Sequence, residues 1–369
     1  FPWRRDIFAD LIQKLNQYGV SVITFDVFFS EEDKQNPKKI LEEFNIKNDT
    51  VFDSDQKLLE SIQSSNVILP VLGDISMYNK DNSSKPKTNI ISKGSDPSDY
   101  VYRFKNKITS LEKFNNAAKG VGTISYLDSP DGVLRSLPIF LKIEDDIWPA
   151  LSLETLRVLH GHKSILINSD ETGIKLIKTR KYQIEPDPNA IVHINFKEFD
   201  KENYIPAVDV LNLNINANKL KDKIAIIGSS AQGIFDFVKI PNGNVIPGVE
   251  THAHLIENII NNDFIIKNTF TSIAENLLLI ISLILALIIP NKILPRFSIV
   301  FFASLVFILL SISVIAYQFN YFVDVFYIIL SSSLLFLTTL YFRYLKENEI
   351  ALDNEKKQII LKQEREIAG

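Results

Sequence analysis

The chain contains no cysteine. That excludes disulfides, thiolate zinc sites and cysteine nucleophiles together, so an exported domain would depend on packing alone. It also lacks an excess of positive charge. Lys and Arg number 40 against 44 Asp and Glu, the net charge is −4 and the pI is near 5.8. No basic field suggests nucleic acid as a partner. A secretion signal is missing too, because Phe1-Pro2-Trp3-Arg4-Arg5 does not read as one. We therefore expect a fragment whose upstream membrane anchor precedes Phe1, cut again at its far end, where Glu364 to Gly369 stop inside a helical pattern.

What is present in quantity is apolar sequence in three runs, residues 272–289, 297–319 and 321–342, nearly free of charge except at their ends. Each approaches the roughly 20 residues that a helix needs to cross a hydrocarbon core about 30 Å thick. The alternative, buried helices of a large soluble protein, fits poorly with three such runs in succession. Lys292 and Arg296 lie between the first two runs, whereas the turn near Asn320 has no Lys or Arg. By the positive-inside rule the first loop is cytoplasmic. The reading is a multi-pass protein of the cell inner membrane: residues 1–268 an extracytoplasmic domain, 269–343 the transmembrane helices, 344–369 a cytoplasmic helix. Glu275, the acid in the first run, lies one turn inside the outer end and is not read as an ion-pathway residue.

The first 268 residues have an α/β pattern. Ile7, Leu11 and Leu15, with Phe8 and Ile12 beside them, make one apolar stripe that ends at Gly19. The β-branched run Val20 to Asp26 follows, and Asn66 to Leu72 repeats the unit. Residues 79–98 are so polar that a surface insertion is expected. Asp131-Gly132 between two β-rich runs predicts a hairpin. Lys221 to Gly228 is a short buried strand, and Pro247-Gly248-Val249-Glu250 starts a helix, with Pro and an acid where the missing N–H and the dipole favour them.

The candidate site residues are Asp26, Ser229, Ser230 and Asp236. Asp26 and the Gly228-Ser229-Ser230 loop follow strands expected to be parallel, and ligands collect outside the carboxyl ends of such strands. The competing reading is that these groups only bond loop N–H groups. Gly228 to Gly233 has the glycine spacing of a phosphate loop, but Ile234-Phe235 stand where Lys and Ser/Thr are required, which rejects nucleotide binding. His252 and His254 point some 200° apart on a helix, so no metal site is expected. His252 is read as a core residue and His254 as a solvated one. His160 and His162 flank a glycine at a helix end, where a cation suits the dipole. No Ser/His/Asp set or carboxylate pair can be joined by spacing, so neither catalysis nor a cofactor is expected. In the tail, Leu345, Leu352 and Ile359 repeat every seven residues. This fits a two-stranded coiled coil and equally a single solvated helix.

Several stretches together resemble a known family. They are Trp3-Arg4-Arg5 before a helix, Ile23-Thr24-Phe25-Asp26-Val27-Phe28-Phe29-Ser30-Glu31, Val121-Gly122-Thr123 with Asp131-Gly132-Val133-Leu134-Arg135-Ser136-Leu137-Pro138, Lys223 to Gly228, and Pro247 to His254. In this order they resemble the CHASE domain of type 2, the extracellular sensory module of bacterial cyclases, histidine kinases and related receptors. The resemblance implies a mixed-sheet α/β sensor preceded by one membrane helix and followed by three. It further implies a signal passed to a cytoplasmic output domain, and it supplies no ligand residues. The ending Glu364-Arg365-Glu366-Ile367-Ala368 is similar to helices that precede serine phosphatase, cyclase and histidine kinase domains. We therefore expect the sensory and membrane portion of a receptor, itself no enzyme, working as a homodimer with membrane lipid and an unknown extracytoplasmic ligand or protein as partners. The alternatives are a membrane-anchored envelope hydrolase using Asp26 and Asp236, and a structural subunit of a membrane complex.

Overall fold

The structure is a computed structural model and describes residues 3–46, 51–74, 84–127, 129–198, 200–229 and 236–368. The chain divides into two units, Phe1–Phe264 and Ile265–Gly369.

In the first unit a five-stranded sheet is built from β1 (Val22–Phe25), β2 (Val67–Asp74), β3 (Asn106–Thr109), β4 (Gly120–Thr123) and β5 (Ile224–Ile227). β1 lies between β5 and β2, parallel to both, with Val22 opposite Ile224 and Phe25 opposite Ile227. β4 runs parallel to β2 and β3 antiparallel to it, so the sheet is mixed. The helices that cover it are α1 (Arg5–Gln17), α2 (Ser54–Gln63), α3 (Leu151–Leu159) and α4 (Gly248–Asn261). β1 is buried along its whole length and shows why the run reads as continuous apolar sequence. Ile23 and Phe25 pack with Leu11, Ile12, Leu15, Leu58 and Ile62 of α1 and α2. Val22 packs on Leu151 of α3, and the Thr24 hydroxyl meets that of Thr155 at 2.8 Å. Both faces are therefore covered.

Two sequence expectations are corrected. The turn at Asp131-Gly132 exists, with Gly132 at φ +67°, but the flanking runs do not pair. Gly120–Thr123 joins β2, whereas Ser136–Pro138 pairs with Ile191–His193. The polar stretch 79–98, whose residues 79–83 lie outside the described residues, is not simply an insertion. Asn89–Gly94 is an edge strand parallel to Ser164–Asp170. Ladder bonds need backbone only, so exposed polar side chains do not prevent pairing.

The second unit contains α5 (Thr269–Lys292), α6 (Pro295–Gln318) and α7 (Phe326–Ala368). Each is long and apolar enough to cross a membrane. The loop between α5 and α6 shrinks to Ile293 and Leu294, since helix continues through Pro290 to Lys292. The third apolar run starts before its helix does. Tyr321 is in a β-bridge with Ile266, and α7 begins at Phe326, where the Asp324 side chain accepts from the Phe326 N–H at 3.0 Å. From there α7 runs 43 residues without a break, through Arg343 into the charged tail.

Candidate functional site

β1 and β5 end together, and the Asp26 N–H donates to Ile227 O at 2.8 Å. Asp26 thus stands beside Gly228 at the carboxyl end of two parallel strands. Gly228 has no room for a side chain: a Cβ there would lie 2.5 Å from the Cβ of Val249 in the first turn of α4. The close approach that only glycine permits draws the N-terminus of α4 over the strand ends. Asp236 arrives from the other side. Its carbonyl accepts from Gly248 N–H at 2.9 Å, and a Cβ on Gly248 would collide with the Asp236 carboxylate. Asp26 and Asp236 are both partly buried, and neither carboxylate has a hydrogen-bond partner among the described residues.

His252 lies one turn along α4 from Gly248, on the same face. Its ring is buried, and its Nδ1 meets the Ser152 hydroxyl of α3 at 3.2 Å. That hydroxyl donates its single proton to His252 O, so the ring Nδ1–H donates back to Oγ.

Burial dominates the electrostatics. It pushes Asp26 up to about 6. Asp236 is raised as well, first by burial and then by the charge of Asp26, with His252 opposing. His252 is pulled down to about 4 by its burial, against the attraction of Asp236. Near neutral pH the arrangement is a neutral imidazole beside two carboxyl groups, at least one of which takes a proton readily. It can accept a cationic or hydrogen-bond-donating group.

Of the residues singled out in the sequence, Asp26, Ser229 and Asp236 lie at or next to this strand end, Ser229 partly buried. Ser230 lies outside the described residues, as does most of the Gly228 to Gly233 stretch. Gly248 and His252 belong to the place but were missed as site residues; the signal was the Pro247-Gly248 helix start four residues before an apolar-face histidine. His254 is a correction. It is 1% exposed rather than solvated, with Nε2 3.3 Å from the Glu250 carboxylate and its ring 5.2 Å from that of Phe196. The loop carrying Asn195, Phe196 and Tyr204 covers that side of α4. His160 bonds Tyr182 OH at 2.9 Å, and its ring lies 5.6 Å from that of His162. Among the described residues no group of three or more His, Asp or Glu could hold a metal ion.

The motifs that open the chain are structural. The Arg5 N–H donates to Asp33 at 3.0 Å, and its guanidinium lies 4.7 Å from the Phe29 ring and donates to Glu31 O at 3.1 Å. Trp3-Arg4-Arg5 and Phe28-Phe29-Ser30-Glu31 therefore form one clamp between α1 and the loop after β1.

A family model described as the CHASE2 domain matches residues 1–289. No curated protein and no solved structure matches the chain.

Proposed function

Since the chain belongs to the CHASE2 domain family, whose members are extracytoplasmic sensory domains, we propose that it is the sensory and membrane portion of a bacterial receptor that relays a signal to a cytoplasmic output domain. The receptor sits in the inner membrane with its tail in the cytoplasm, and it acts as a homodimer. The observation that carries this reading is α7. One helix of 43 residues joins an apolar span to a charged tail, so rotation or displacement at Phe326 is delivered to Ala368 with no joint between. Along the tail Leu345, Leu352 and Ile359 are exposed at heptad spacing, a seam that a second copy covers. The ligand binds at the strand ends, at Asp26, Ser229 and Asp236. It biases two arrangements of the helices by no more than its differential affinity for them.

The absence of cysteine makes the test direct. Single cysteines placed in turn at residues 343–360 of the membrane-reconstituted chain, fused after Gly369 to a cyclase reporter, are oxidised to interchain disulfides. Efficient cross-linking is expected every third or fourth position, and reporter activity is expected to follow the register. An output indifferent to register sinks the reading.

The acid pair favours a second reading, a membrane-anchored envelope hydrolase in which Asp26 carries a proton and Asp236 acts as base. Asp26→Ala with Asp236→Ala separates the two. Loss of a turnover activity in a protein that still folds favours the enzyme; loss of signalling alone favours the sensor.

A further inference from the structure

Helices α5 and α7 end-cap one another. At the N-terminal end, Glu275 of α5 is 7% exposed, and its Oε1 accepts the Asp324 N–H at 2.7 Å, two residues before α7 begins. A carboxylate is thereby set at the end of α7 where N–H groups have no intrahelical partner and the dipole is positive. At the C-terminal end, Arg343 of α7 donates through one guanidinium nitrogen to Pro290 O and Ile293 O, and through Nε to Glu347 at 2.8 Å. Those carbonyls close α5, where the acceptors are orphaned and the dipole is negative. Arg343 thus supplies positive charge at the C-terminal end of α5, and Glu275 joins the Asp324 side chain, which caps the Phe326 N–H, at the start of α7. The two contacts also make α5 and α7 parallel neighbours.

The third helix has no charged tie: it is joined to α5 by Ile293 and Leu294 at one end and, past its other end, by the bridge between Tyr321 and Ile266. α6 meets the others through apolar side chains, the stacked rings of Phe302 and Phe336 at 4.3 Å, and the Ser313 hydroxyl, which donates to Val323 O at 2.8 Å. Among the described residues no charged side chain of α6 bonds either neighbour, and the Arg296 guanidinium lies over its own neighbour Phe297. In an apolar medium a charge-assisted hydrogen bond is about twice as strong as a neutral one, and breaking it exposes unsatisfied groups to hydrocarbon.

We propose that α5 and α7 form a single rigid pair, clasped at one end by Glu275 and at the other by Arg343, and that α6, held to the pair by short backbone connections and neutral contacts, shifts against it more easily than α5 and α7 shift against each other. A displacement of α5 then appears in α7 undiminished. The inference stands on the geometry of these three helices, so it fails or holds independently of the sensory reading.

Spin-label distances in the full chain, reconstituted in phosphatidylcholine and phosphatidylglycerol vesicles, test it. Label pairs replace exposed residues: Leu277→Cys with Leu330→Cys reports the Glu275 end, Leu287→Cys with Phe342→Cys the Arg343 end, and Ile299→Cys with Tyr341→Cys reports α6 against α7. Both α5–α7 distributions are expected to be at least about twofold narrower than the α6–α7 one. Arg343→Ala is expected to broaden the 287/342 pair about twofold or more and spare 277/330; Glu275→Ala does the reverse. Glu275→Gln, whose amide oxygen still accepts but without charge, broadens 277/330 less than Glu275→Ala does, and Arg343→Lys keeps the proposal testable if the alanine variant fails to insert, since one ammonium holds the two carbonyls less well and broadens 287/342 alone. An α6–α7 distribution as narrow as the others overturns the proposal. So do end-capping substitutions that change no width, or that broaden both ends alike.

Discussion

Asp26 and His252 titrate in opposite directions across the same pH range. Asp26 rises from 3.8 to about 6 on folding, so its contribution to stability is present below pH 4 and is lost as pH climbs through 6. Asp236, also raised, adds to that slope. His252 falls from 6.5 to about 4, so its contribution is present above pH 6.5 and is lost as pH drops through 4. Between these limits the two slopes offset. Asp26→Asn removes one of them and is expected to stabilise the protein by roughly 2–3 kcal/mol at pH 7. The melting temperature, followed by tryptophan fluorescence, should rise by roughly 4–10 °C at pH 7 and hardly at pH 4. An unchanged melting temperature at pH 7 contradicts the burial of Asp26. The sequence already placed Asp26 at a strand end, since a β-branched run stopping at an acid is a local signal. The same reading grouped it with Asp236, but the arrival of His252 was not legible, because it comes from a helix brought there by the tight seat of Gly228 and Gly248.

At the scale of elements, the contact of α3 with β4 explains most of what the sequence withheld. A Cβ on Gly122 would lie 2.6 Å from Leu151 Cα, and one on Gly120 2.7 Å from Glu154 Oε1. These glycines set helix and strand face to face, whereas the run around them reads as one arm of a hairpin. Glu154 and Arg157 are buried there as an ion pair at 2.6 Å, with the Thr88 hydroxyl on the same carboxylate and the guanidinium bonding Lys119 O at 3.0 Å and His162 O at 2.7 Å. Arg157→Ala leaves a buried carboxylate without its cation and is expected to cost about 3–5 kcal/mol. Gly122→Ala, which must push helix backbone, is expected to cost about 1–3 kcal/mol. Denaturation midpoints in urea measure both. Equal, small losses would mean that α3 yields easily. Partners so far apart in the chain have no spacing signature; α1, with all its signals within four residues, did.

The molecule as a whole divides into two units, and the family match covers the first and runs on into the second. The sequence, with no break signal at Phe342-Arg343-Tyr344, already read the apolar span and the charged tail as one helix, and α7 shows that they share one. Because they do, one residue inserted after Arg343 turns everything beyond it by ~100°, while seven residues return it to within ~20°. In the reporter fusion, the single insertion is expected to invert or abolish the response, and the heptad insertion to keep it within about twofold. Equal responses would show a flexible tail.

The place of β5 beside β1 has a consequence for how the domain comes to exist. Val22 finds its partner only in Ile224, so the central strand of the sheet stays half-paired until almost the whole domain has been made. Closing so long a loop is slow. A chain that has to pass a membrane before it folds gains from this, because the early segments cannot lock into a sheet while the late ones are still on the other side. Folding is deferred to the compartment where the domain works, and the last strand of that sheet to emerge is the one that completes it.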